Sequence, residues 1–146
     1  MIRFPHLCIA LLAAASVVAP VLAQQVQVVP PDEVGNYWIM TKSEVDGMVP
    51  NSGRNLDKPG CAAVSYMIGS DGIPRGMKAR KVVPANSDFG SIAVSLVGNF
   101  RYSPTDDNNN DLPISTYYIV RFNMPKDPAQ KKALLARCAL PGYTHD

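Results

Sequence analysis

The sequence predicts an α+β fold: a small antiparallel sheet of about three strands with one helix packed across it, and a second helix added at the C-terminal end. Three observations carry this. Residues 62–68 and 114–123 alternate with the two-residue period of a half-buried strand. Between them, apolar residues recur at helical spacing. After Asp127, start and stop signals bracket a further helix.

The chain has 146 residues, 47% of them hydrophobic, enough for one domain with its own core. Its 14 basic and 12 acidic residues leave a formal charge of +2, so no overall field points to nucleic acid. The first 23 residues differ in kind. Arg3 and His6 precede an uncharged apolar run from Leu7 to Leu22, and Ala23 supplies a small residue where a signal peptidase cuts. Residues 1–23 therefore read as an export signal cut after Ala23. An uncleaved anchor over residues 7–23 is the alternative, because about 17 apolar residues just span a bilayer. Cys8 leaves with the signal.

Cys61 and Cys138 remain, in a compartment where thiols pair, and a single bridge between them is expected. It would close a loop of about 78 residues and contribute roughly 4 to 4.5 kcal/mol on the chain-entropy model. Two distant cysteines and His145 make no metal site, and no cofactor is expected. With one histidine left, and without HExxH, CxxC, P-loop or GxGxxG patterns, the residues assemble no catalytic set, so a secreted enzyme is the weakest reading.

Residues 24–59 read as an extended leader: Pro30 and Pro31 break it early, residues 37–45 form a candidate strand, and residues 46–60 gather Gly, Pro, Asn and Asp as a long loop. Ala62, Val64, Tyr66 and Ile68 then alternate with smaller or polar residues as the first clear strand. Ser70, Asp71 and Gly72 supply a hairpin turn. The next run, "MKARKVV", is strand-like and crowds Lys78, Arg80 and Lys81 together. These cations read as a solvated face that discourages edge pairing, with an anion-binding patch as the functional alternative.

From Asn86, Ser87 and Asp88, which offer capping oxygens, Phe89, Ile92, Ala93, Leu96, Val97 and Phe100 form one apolar helical stripe. "NFRYSP" ends it: Phe100 is the last buried position, Tyr102 falls where the chain leaves the helix, and Pro104 prevents continuation. Arg101 points away from the core. In the polar loop that follows, Asp107, Asn109 and Asp111 lack the glycine and glutamate of a calcium loop, so a solvated turn is expected. The strand at Ile114–Asn123 has large apolar residues on both faces, with Tyr117, Ile119 and Arg121 on one and Tyr118, Val120 and Phe122 on the other. Last, Asp127 caps a helix with Pro128 at its first position, Leu134, Leu135 and Cys138 face inward, and Gly142 follows.

Gly60 with its alternating successors, the Asp71–Gly72 turn, Pro84–Ala85–Asn86 before the helix, and the Phe100, Arg101, Tyr102, Pro104 ending form an ordered set. In that set the chain resembles the C-terminal domain of TonB energy transducers, over about Gly60 to Pro125. The resemblance implies a three-stranded antiparallel sheet crossed by a helix, and a partner: the TonB-box segment of a TonB-dependent outer-membrane receptor, which joins the sheet beside its last strand. The expected organisation is a signal at 1–23, a leader at 24–59, the TonB-like domain at 60–125 and a helical extension at 126–146. A transducer also keeps a membrane helix and a long Pro-rich spacer, whereas only Pro30 and Pro31 stand in a spacer position here. The expected function is a periplasmic protein-binding module, with an anchored transducer as the alternative if residues 7–23 are retained.

The docking step has a physical form of its own. An open strand presents unpaired N–H and C=O groups to which an extended peptide can add. The expected edge is the last strand, with Tyr117, Ile119 and Arg121 as the partner-binding residues. The same edge permits self-pairing into a homodimer.

Overall fold

The computed structural model describes residues 26–43 and 53–143. Residues 1–23, read above as an export signal, the last two residues of the candidate strand at 37–45, residues 46–52 of the long loop and His145 lie outside them. The alternation after Gly60 is realised as β3 (Gly60–Ile68), preceded by β1 (Gln27–Val28) and β2 (Trp38–Lys42). The chain continues through β4 (Pro74–Val83), α1 (Phe89–Gly98), β5 (Arg101–Pro104), β6 (Ile114–Phe122) and α2 (Pro128–Cys138). Among the described residues no helix is long and apolar enough to cross a membrane.

The fold is α+β. β3, β4 and β6 are the expected antiparallel strands, with β3 in the centre, and β1 extends the sheet by pairing parallel to the start of β6, giving the order β1-β6-β3-β4. A second, two-stranded sheet joins β2 to β5 antiparallel. The segment read as a leader thus contributes two strands, and it buries Val29 and Trp38 completely in the main core. Trp38 is fixed further by its indole N–H, which donates to the Leu112 carbonyl at 3.0 Å.

α1 lies across one face. Ile92, Ala93, Leu96 and Val97 meet Ala62, Val64, Tyr66 and Ile68 of β3 there, and the rings of Phe89 and Phe122 stack with centroids 4.0 Å apart. The stripe ends as expected, since Arg101 is exposed and its guanidinium donates to the carbonyls of Gly98 and Phe100 at the helix end. The start differs from expectation. Asp88 is the N-cap residue, yet its buried carboxylate makes no cap hydrogen bond. It accepts from the Arg54 backbone N–H at 2.8 Å and from the Arg54 guanidinium at 2.9 Å, tying the preceding loop to the helix. Tyr102 is also more than a helix exit. As part of β5 it is buried, and its hydroxyl shares a 2.6 Å hydrogen bond with that of Tyr66.

The Asp71–Gly72 turn is locked to β5. Gly72 has φ +72°, and the Tyr102 N–H donates to its carbonyl at 3.0 Å; a Cβ there would lie 2.0 Å from the Tyr102 carbonyl oxygen. Glycine is needed for its conformation and for the space.

The second face of the sheet carries α2. The Asp127 carboxylate accepts from the Gln130 N–H at 2.8 Å, and Pro128 opens the helix, as the sequence predicts. The Cys61–Cys138 disulfide joins α2 to β3 with Cα atoms 6.2 Å apart. Around it Ala63 and Tyr117 are buried, with Leu134, Leu135, Leu140 and Tyr143 packed against them.

Candidate functional site

The outer edge of β6 is set by its first residues. β1 pairs Gln27 with Ile114 and Val28 with Ser115, and the Val29 N–H donates to the Ser115 carbonyl at 2.8 Å. Ser115 therefore turns its backbone polar groups outward, away from β3. In a strand these groups point to alternate edges residue by residue. The β6–β3 register runs from Ile114↔Ile68 to Phe122↔Gly60 without a slip, so the alternation holds throughout. Tyr117, Ile119 and Arg121 consequently present their N–H and C=O groups to the outer edge, while Thr116, Tyr118, Val120 and Phe122 bond β3. Among the described residues no strand pairs with the outer edge of β6, the one away from β3, past Ser115.

The side chains of the three predicted residues lie on the α2 face and differ in access. Tyr117 is 8% exposed, its ring edge-to-face with Tyr143 at 4.9 Å. Ile119 is half-buried in the same cluster, and Arg121 is exposed. What these residues share at the edge is backbone, and Arg121 alone adds a free-standing side chain.

On the α1 face the edge borders two clefts that both include Tyr118. One, of about 260 Å³, is lined by Leu96, Phe100, Val120 and Arg121 with Ser43. The other, of about 320 Å³, runs against Trp38, Ile39, Met40, Tyr66 and Tyr102. Tyr118 is 41% exposed and Ile39 56%, while the Tyr118 ring stands edge-to-face on Phe100 at 5.1 Å. Phe100, which ends the α1 stripe, thus supports the ring between the clefts. Burial pushes both the Tyr66 and Tyr102 hydroxyls above the ordinary tyrosine range, that of Tyr102 to about 12. This leaves the pair neutral and hydrogen-bonded at neutral pH.

Sequence reasoning did not single out Tyr118, Ile39 or Trp38 for this site. The alternation of β6 placed Tyr118 on the second face, but only the approach of β2 turns that face into clefts. Asn108, buried in the polar loop, also escaped notice. Its side-chain amide donates to the Tyr37 carbonyl at 3.2 Å and accepts from the Leu112 N–H at 3.0 Å, holding β2 beside the entry to β6. The flanking Asp107, Asn109 and Asp111 are exposed, and among the described residues no group of three His, Cys, Asp or Glu could hold a metal ion.

The chain is similar to the solution NMR structure of Pseudomonas aeruginosa TonB CTD, at 15% sequence identity over 62% of this chain and 89% of that one, with a TM-score of 0.43. No protein-family model and no curated protein matches it.

Proposed function

We propose that the protein is a periplasmic TonB-like binding module that accepts an extended peptide as an added strand along the outer edge of β6, from Tyr117 to Arg121. The observation that supports this most is the run of outward backbone groups at Tyr117, Ile119 and Arg121, regular in register and beyond the reach of β1. Alternate side chains of an added strand face opposite sides of the sheet. Those on the α1 side would enter the clefts beside Tyr118, and main-chain hydrogen bonds would supply affinity with little demand on sequence. In this reading the partner is the TonB-box segment of a TonB-dependent outer-membrane receptor, the guest implied by the ordered motifs between Gly60 and Pro104.

Proline at position 119 tests the edge. It removes an outward N–H without taking a bond from the β3 ladder, and proline is tolerated on edge strands. Ile119→Pro is expected to keep the fold and lose binding of a TonB-box peptide, measured by titration calorimetry. Unchanged affinity in a folded variant would falsify strand addition here. Residues 1–23 are proposed as the export signal, and a periplasmic product beginning at Gln24 is the expected result of N-terminal sequencing.

A further inference from the structure

α2 covers only part of its face of the sheet. Beyond the helix lies a shallow bowl of about 270 Å³, floored by Ser65, Met67 and Ser115 and bordered by Tyr143, Lys78 and Arg80. Register brings the cations here. In a regular strand Arg75 and Lys81 would stand on the face opposite Lys78 and Arg80, because alternate side chains point to opposite faces. β4 departs from that rule twice. Its pairing with β3 slips by one residue between Lys81↔Ala63 and Ala79↔Val64, and again between Lys78↔Ser65 and Arg75↔Met67. Each extra residue on β4 is a bulge that reverses the phase of alternation. All four cations come to the α2 face as a result.

The contacts agree with that placement. Arg80 Nε donates to Ser65 Oγ at 2.8 Å, Lys81 Nζ donates to the Ala139 carbonyl at 3.2 Å just past α2, and Arg75 lines the bowl. Two of the four are committed, since Arg75 is held bidentately by Asp71 at 2.6 and 2.7 Å and Lys81 serves the end of α2. Lys78 and Arg80 form no ion pair with a carboxylate among the described residues. Ser65 holds Arg80 by Nε alone, which leaves both terminal amino groups of the guanidinium to donate elsewhere.

We infer that this bowl binds a phosphate-type oxyanion. A guanidinium held by its Nε, an ammonium two residues away and the hydroxyls of Ser65, Ser115 and Tyr143 offer donors from several directions to a tetrahedral anion. The bowl lies on a face of the sheet and does not use the β6 edge, so it stands independently of peptide docking. Free inorganic phosphate and the phosphate of a lipid headgroup share this chemistry.

Two measurements test the site and separate the sources. Isotope-labelled protein is titrated with inorganic phosphate at constant ionic strength, following backbone amides by NMR, and is sedimented with phosphatidylglycerol vesicles. The expected result is saturable shifts at Ser65, Lys78, Arg80 and Ser115. Arg80→Gln or Lys78→Gln should each weaken binding about tenfold, the scale of one lost charge-assisted hydrogen bond. Both side chains are exposed, so the variants should fold, and thermal denaturation verifies it. Arg121→Gln should leave phosphate binding unchanged. Phosphate binding without sedimentation identifies a free oxyanion as ligand, and both together identify a headgroup. Shifts that do not saturate, wild-type phosphate affinity in both variants, or sedimentation without a phosphate response would overturn the site.

Discussion

Along β4 the outer edge of the sheet slips register twice, carries a left-handed glycine at Gly76 and presents Lys78, Arg80 and Lys81 to solvent. Along β6 the register to β3 runs through nine consecutive pairs without a slip, and the only charge in the strand is Arg121. Bulges and lysines are the means by which a sheet edge avoids pairing with other chains. β4 has both, and the exposed part of β6 has neither. Among the described residues the one strand on the outer edge of β6 is β1, which pairs with Ile114 and Ser115 and goes no further. An edge left regular in a chain that defends its other edge is consistent with docking at β6.

The contrast can be broken by proline, and this gives the largest expected effect. Val120 turns its N–H inward to β3, whereas Ile119 turns its own outward. Val120→Pro should cost about 3 kcal/mol or more, and Ile119→Pro far less, a difference read as the shift in urea midpoint at unchanged slope. Equal losses would contradict the assignment of inward and outward groups.

Next in size is the bridge that holds α2 over the face of Tyr117 and Ile119. Cys61→Ala/Cys138→Ala should lose about 2 to 5 kcal/mol of unfolding free energy, and the wild-type mass should rise by about two units on reduction. The loss should be accompanied by faster amide exchange across α2, because most of the helix surface is exposed.

The hydroxyl pair beneath the β6 clefts sets the next effect, which depends on pH. Burial raises the Tyr66 and Tyr102 pKa values above that of the unfolded chain, about 10. The unfolded state therefore releases these protons first. The stability contribution is complete below about pH 10 and falls as pH rises toward the folded Tyr102 value of about 12. Tyr66→Phe/Tyr102→Phe should flatten that alkaline decline, measured as urea midpoint against pH.

The smallest effect belongs to β4. Gly76 has φ +64° with open space where a Cβ would sit, so Gly76→Ala strains only the backbone, at about 1 to 2 kcal/mol. Thermal denaturation should show that modest loss with peptide affinity at β6 unchanged.

The parts legible from sequence were those whose local signals agree with their packing. β3 and β6 alternate cleanly, α1 keeps one stripe, and Asp127, Pro128 and Gly142 bracket α2. β2 was legible as the candidate strand at residues 37–45 and stands at Trp38–Lys42, but β1 and the complete burial of Trp38 were not. Two residues in a strand have no period to read, and the buried Trp38 lies in a segment punctuated by Pro30 and Pro31. β5 was hidden because Tyr102 follows the helical stripe so closely that it reads as its exit. The face shared by Tyr117, Ile119 and Arg121 follows from alternation, but the outward turn of their backbone groups depends on which side β3 occupies, and a single strand does not encode that. The gathering of Arg75, Lys78, Arg80 and Lys81 on one face was invisible for a related reason, since bulges belong to a pair of strands.

Residue-resolved amide exchange along β6 tests the central claim most directly. In the free protein the N–H groups of Ile119 and Arg121 should exchange rapidly while those of Tyr118 and Val120 exchange slowly. Addition of a TonB-box peptide should slow the first pair and leave the second nearly unchanged. Slow exchange at Ile119 and Arg121 before any peptide is added, or no slowing once it is bound, would contradict an open edge that receives a strand.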